Sequence, residues 1–197
     1  MQARIWTTIG ASLLALAAAG CAGDDKSELP PAALSTLVLQ PADLSTSFDQ
    51  FDEGPLGAVE TTGALRTDPT RFGRVNGWKA RYRRAGTATT PGPLVIESRA
   101  DLFEGDDGAS RDFDAYRREL EQAMQDTGGR LLTPFELGSE AAGMTFREDR
   151  VRFFRIVWRH ANVTALLFVN GFNGKLERSQ VLELARKQQR RLEAAAS

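Results

Sequence analysis

The chain has 197 residues, 25 basic and 26 acidic side chains and a formal net charge of −1. That balance argues against a dedicated nucleic-acid binder, which shows a strong basic excess. A single histidine, His160, excludes histidine-rich metal sites and leaves any Ser-His-Asp triad dependent on that residue. A single cysteine, Cys21, leaves no internal disulfide, so the fold must rest on its core. The sequence carries no phosphate loop, metal cluster or catalytic constellation.

The α-amino group and Arg4 make a small positive start, followed by an apolar run from Ile5 to Ala19. A membrane span needs about 20 apolar residues, so the run fits the central region of a secretory signal better. It closes on Ala18-Ala19-Gly20-Cys21. This resembles the lipobox of bacterial lipoproteins, with Ala18 where the family prefers leucine. The alternatives are an ordinary signal peptide or an uncleaved anchor. The resemblance implies removal of residues 1–20 and multiple acylation of Cys21. Each buried CH₂ contributes about 0.8 kcal/mol, so several chains hold where one is marginal. It further implies an exported protein, lipid-anchored to a bacterial membrane with its domain outside the cytoplasm. Loss of Arg4 leaves a formal charge of −2 on about 177 residues, enough for one domain. Residues 21–30, including the charged "AGDDKSE", read as a lipidated flexible tether, and 31–197 as a single domain.

Along that domain, Leu34, Leu37 and Val38 predict a short helix over 32–39, and Pro41 opens a second helical turn. Residues 48–67 read as a long loop, and 68–73 as a turn. Period-two alternation begins at Gly77, with Trp78, Ala80 and Tyr82 on one face and Lys79, Arg81 and Arg83 on the other. A second strand covers 94–103. A helix follows from Glu104–Asp107 to Met124, with Asp106 or Asp107 as its cap and Thr127-Gly128-Gly129 as its stop. Residues 131–137 are a short strand or extended segment. Strands at 142–147, 151–160 and 163–170 are joined by short turns and so pair antiparallel. The last of them, "VTALLFVN", is apolar on both faces and reads as central and covered on both sides. A helix over 176–192 closes the chain.

This order predicts an α+β fold: an antiparallel sheet of about five strands packed by two long helices, with short N-terminal helices. Both long helices are expected on one sheet face, with the N-terminal helices or the long loop over part of the other. The element order and the terminal "LARKQQRR" helix are similar to uncharacterised bacterial lipoproteins. They also resemble the PsbP-like group, which includes LpqN-type lipoproteins and the extracellular sensor domains of some receptor kinases. That resemblance implies binding rather than catalysis.

Four clusters deserve weighing. Glu104, Asp106, Asp107, Asp112 and Asp114 lack the spacing of a calcium loop, because Gly108 and Ser110 break the alternation, so they read as a helix start and solvated face. His160 follows Arg159 at a hairpin end without a nucleophile in context, a turn histidine. Arg186, Lys187, Arg190 and Arg191 form a basic face that would contact anionic headgroups, or simply a solvated helix C-terminus. Trp78, Tyr82, Arg155 and Trp158, with Arg81, would border a ligand groove on an uncovered sheet, or belong to the core. The sequon Asn162-Val163-Thr164 carries no weight in a bacterial lipoprotein.

No catalytic, cofactor or metal residue is identified. The first functional expectation is a membrane-anchored, non-enzymatic binding module that recognises a protein or another envelope component. The alternative is a carrier or sensor of a small apolar ligand held between the sheet and the N-terminal segment, in a cavity lined by residues such as Trp78, Phe153 and Val157. A hydrolase would depend on His160.

Overall fold

The computed structural model describes residues 28–57, 69–132 and 135–196. The signal segment, Cys21 and most of the tether lie outside them. The described elements are strands β1 (Asp49–Pro55), β2 (Arg74–Arg83) and β3 (Val95–Phe103), helix α1 (Asp106–Thr127), strands β4 (Arg130–Leu131), β5 (Glu140–Glu148), β6 (Val151–His160) and β7 (Val163–Phe172), and helix α2 (Arg178–Ala195). Short 3₁₀ turns cover Pro31–Thr36, Pro41–Asp43 and Pro69–Phe72. The strands form one antiparallel sheet in the order β1-β2-β3-β7-β6-β5-β4.

Strand β7 sits at the centre, and its two apolar faces dictate the layering. Val163, Ala165, Leu167 and Val169 point to one side. There they join Ala80, Tyr82, Ile96, Ala100, Phe154, Ile156 and Trp158 under α2. The helix supplies Val181, Ala185 and Leu192, each fully buried. The N-terminal segment covers the rest of this face with Leu34, Leu37, Val38 and Leu39. Burying a Leu or Val side chain contributes about 1.5–3 kcal/mol, so this layer dominates stability. On the opposite side, the α1 stripe Phe113, Tyr116, Leu120 and Ala123 packs on Met144 and Val157, with Ala142, Phe146 and Leu166 at its edge.

Buried polar groups tie the layers in place. The Leu39 N–H donates to Ser98 Oγ (2.9 Å), and that hydroxyl donates to Gln188 Oε1 of α2 (2.8 Å). Gln188 Nε2 donates onward to the Arg99 carbonyl (2.8 Å), and Tyr82 Oη to the Leu39 carbonyl (2.7 Å). At the other end, Asn162 Oδ1 accepts the Leu29 N–H (2.8 Å) while Nδ2 donates to the Phe103 carbonyl (3.1 Å). Unmade bonds at buried groups cost about 1–3 kcal/mol each, so these contacts specify one arrangement.

The architecture is α+β, with four departures from expectation. The sheet has seven strands rather than about five. β1 lies within the stretch expected to be a loop. Its sequence, "DQFDEGP", lacks apolar alternation, because it is an edge strand held by pairing and by Asp52 to Lys79 (2.7 Å). The two long helices lie on opposite faces, and the N-terminal segment shares a face with α2. Two-sided β6 and β7 require cover on both sides, and one face is already taken by α2 and the N-terminal segment. Finally, Gly105 rather than an aspartate stands at the N-cap of α1. Asp106 instead pairs with Arg159, which also holds Glu140 (2.9 Å).

Arg74 and Asp101 form an ion pair (2.5 Å) with both side chains 2% exposed. A Cβ on Gly77 would stand 2.0 Å from Arg74 Nη2, so glycine is required for this pair to close. Arg74→Met is expected to cost about 3–5 kcal/mol in urea unfolding, because the buried Asp101 loses this ion pair. Adding Asp101→Leu to it should recover most of the loss.

Candidate functional site

The register separates the expected groove residues. Trp78, Tyr82 and Trp158 face α2, while Arg81 and Arg155 face the other way. Tyr82 and Trp158 are core, at 1% and 0% exposed. Trp158 Nε1 donates to Gln189 Oε1 (2.9 Å), whose amide Nε2 lies 3.3 Å from His160 Nδ1. Trp78 is half-buried at the β1 side, with Nε1 on Glu53 Oε1 (3.2 Å). Phe153 and Val157 lie across the sheet from Trp78, so the three cannot line one cavity. The space between sheet and N-terminal segment is filled by Leu34, Leu37, Val38 and Leu39.

The basic helix face is also divided. Arg191 Nε pairs with Asp43 Oδ2 (2.6 Å) and Lys187 Nζ donates to the Asp43 carbonyl (2.7 Å), so both clamp the N-terminal segment. Arg186 and Arg190 border a shallow depression of about 320 Å³ together with Glu136 and Glu193. Four headgroup-seeking cations on one surface are therefore not what the fold builds. Asp106 and Asp114 of the acidic cluster are engaged by Arg159 and Arg117.

What the sheet does bring together lies on the α1 side. α1 packs over β5, β6 and one end of β7 and also touches β3, and the Pro69–Phe72 turn touches β2, so the Asp101 end of the β1–β2–β3 half is covered; among the described residues no helix packs over the rest of that half. Across this half runs a ladder of charge. Asp52 meets Lys79 and Arg81 (2.7 and 3.4 Å), Arg81 Nε meets Glu97 Oε2 (3.0 Å), and Glu97 meets Arg99. The register continues from Glu97 to Phe168, and from Phe168 to Arg155. The Arg155 guanidinium lies 5.8 Å from the Phe146 ring and 5.4 Å from Phe168. Phe153 stacks on Phe146 at 4.8 Å and 9°. At the edge, Phe51 is 39% exposed beneath Arg81 and Arg83.

No protein-family model and no curated protein matches the chain. The fold resembles that of the extracellular domain of PknH from Mycobacterium tuberculosis. That structure superposes with a TM-score of 0.62 over 86% of this chain and 99% of its own, at 12% identity. A GTP-binding regulator from Thermotoga maritima aligns at a TM-score of 0.41 and 12% identity over 83% of this chain and 93% of its own. At such identities the PknH likeness is one of fold alone.

The arrangement gathers charge and aromatic rings on one side of the sheet. Five cations (Lys79, Arg81, Arg83, Arg99 and Arg155) share the strip with Asp49, Asp52 and Glu97, and Glu119 of α1 stands at its border. Lys79 holds the Asp52 carboxyl below its ordinary range. Burial pushes the Arg155 guanidinium below its usual value, so a carboxylate or phosphate arriving there meets a poorly hydrated cation. Arginine resting on aromatic rings is also the composition that concentrates binding energy at protein interfaces. Sequence alternation places Phe153, Arg155, Val157 and Arg159 on one side of β6. It does not bring Phe146, Phe168 and Phe51 to them, which takes the register.

Tyr82 yields a pH signature. Burial, reinforced by Glu53 and Asp43, pushes its phenol up from 10.0 to about 12. A raised folded value favours the neutral form, so the stabilisation is complete below pH 10 and is lost as pH rises from 10 through 12. Alkaline unfolding curves should show a loss of up to about 3 kcal/mol across that window, absent in Tyr82→Phe.

Proposed function

We propose that this chain is an exported, lipid-anchored, non-enzymatic binding module whose open sheet face receives an acidic surface of an envelope protein. The observation that carries the reading is the strip on the α1 side of the sheet, where Arg81 and Arg83 lie over Phe51 at the edge and Arg155 lies against Phe146 and Phe168 beside α1. Apolar rings there supply contact area, and the guanidinium groups supply orientation and fast encounter. The lipobox resemblance at Cys21 supports anchoring, since acyl chains hold a domain at a membrane without a spanning helix. The PknH likeness supports an extracytoplasmic setting, because that neighbour is an extracellular domain. With the α2 face sealed by the N-terminal segment, recognition falls to the other side.

Two measurements on the protein from its own host test this reading. Mass spectrometry should find Cys21 acylated at the mature N-terminus, and an unmodified or internal Cys21 contradicts the anchor. A photo-crosslinking residue at Arg83 should give one discrete protein adduct in the intact envelope, and the same residue at Arg118, on the outer side of α1, should not. Arg81→Glu with Arg99→Glu should cut the adduct at least tenfold, since each reversed charge costs about 1–3 kcal/mol at an interface. Equal adducts from both positions would sink the proposal.

A further inference from the structure

A second cluster lies at the far edge of the sheet, away from the open face. Strand β4 and the β5–β6 hairpin enclose a cleft of about 430 Å³ lined by Arg130, Thr145, Phe146, Arg147, Arg152 and Asn173, with the α1 end residues Thr127 and Gly128. Among the described residues no carboxylate lines it. Arg147 and Arg152 stand directly opposite each other across β5 and β6. Arg130 stands opposite Thr145, two residues from Arg147 in its strand. Directly paired residues, and residues two apart in a strand, share a sheet face, so all three arginines project to the same side.

This arrangement opposes its own stability. Like charges placed directly across a ladder repel, and a glutamate at either position would have made a favourable pair. Among the described residues, none of the three arginines makes an ion pair. Glu148 and Val151 form the next pair of the ladder and so point to the opposite side.

Arg152 is also held in one pose. Its Nε donates to Thr145 Oγ1 (3.2 Å), and that hydroxyl is fixed by donating to the Phe153 carbonyl (2.9 Å). Its guanidinium lies 4.9 Å from the ring of Phe154, which is fully buried. With Nε and one flat face occupied, the two terminal nitrogens remain as a fork, the geometry that grips an oxyanion through two parallel bonds. The C-terminal end of α1 at the rim brings about half a negative charge, far less than three guanidinium charges.

We propose that this cleft is a binding site for a phosphate-bearing ligand, with Arg152 as the fixed fork and Arg147 and Arg130 closing on the same oxyanion. Phosphate fits better than a lone carboxylate, because three guanidinium groups on one sheet face match its charge and its several oxygens. The volume leaves room for an organic group on the phosphate. The phosphate can belong to a soluble phosphomonoester or to the phosphodiester of a lipid headgroup. Relief of the Arg147–Arg152 repulsion by the bound anion explains why the fold keeps the pair.

The test uses the full chain in mild detergent at constant ionic strength, titrated separately with glycerol phosphate, a monoester, and glycerophosphoglycerol, a diester. Saturable binding and a rise in melting temperature are expected with at least one of them. A monoester preference assigns a soluble ligand, a diester preference assigns a lipid headgroup, and equal affinity supports the shared oxyanion chemistry. Arg152→Gln should weaken binding at least tenfold, and the exposed Arg118→Gln should leave it unchanged. Arg147→Glu should raise the melting temperature of the ligand-free protein while abolishing the ligand shift. That pairing of gain and loss distinguishes a binding role from damage to the fold. No saturation with either probe, or equal responses in Arg147→Glu and Arg118→Gln, would overturn the site.

Discussion

Strand β7 has to be covered on both sides, and the rest of the molecule follows from that requirement. It lies fourth of seven strands, with Val163, Ala165, Leu167 and Val169 on one face and Thr164, Leu166 and Phe168 on the other. A single helix cannot satisfy both. The chain therefore places α1 on one face and α2 on the other, and each helix is long enough to cover only a few strands. The remaining width of the α2 side is taken by the N-terminal segment. On the α1 side no described element takes the same role across the full width, and much of the surface over β1, β2 and β3 carries charged side chains that tolerate water. Arginines over phenylalanines suit that place, since the stems and rings cover each other while the charges stay hydrated.

The two sides also differ in what their polar groups do. On the α2 side, Ser98, Gln188, Gln189, Tyr82 and Asn162 are spent internally, each bonded to a neighbouring layer. These contacts fix how the helix and N-terminal segment sit, and they leave little to offer a partner. On the α1 side, the cation and carboxylate ladder lies in the sheet surface itself and points outward. The proposed function accordingly uses the face that stability does not consume. The same division explains Lys187 and Arg191, which look like membrane-seeking cations in a linear sequence but hold Asp43.

Much of the fold was legible in the sequence because the signals were periodic. The alternation of β2, the two-sided apolarity of β7 and the stripes of α1 and α2 each reported a local environment. Edge strand β1 was not legible, since its residues obey pairing with β2 rather than any burial pattern of their own. The placement of the helices on opposite faces was implicit in β6 and β7 but was outweighed by the simpler picture of one helical layer. The aromatic residues expected to form a groove were read as neighbours because they share residue type. The register puts Trp78, Tyr82 and Trp158 in one core and Arg155 on the reverse side. Phe146, Phe153, Phe168 and Arg155 come from three strands, so only the pairing could assemble them. Arg147 and Arg152 are close in sequence, yet their opposition depends on the exact turn length between them.

The most direct test of the exposed face is hydroxyl-radical footprinting of the chain in its own envelope and after purification. If a partner covers that face, Phe51, Phe153 and Phe168 will oxidise readily in the purified protein and be shielded several-fold in the envelope. Phe154 and Trp158, sealed under α2, will resist in both. Equal oxidation of Phe51, Phe153 and Phe168 in the two settings would mean that nothing docks there, and the binding reading would fall.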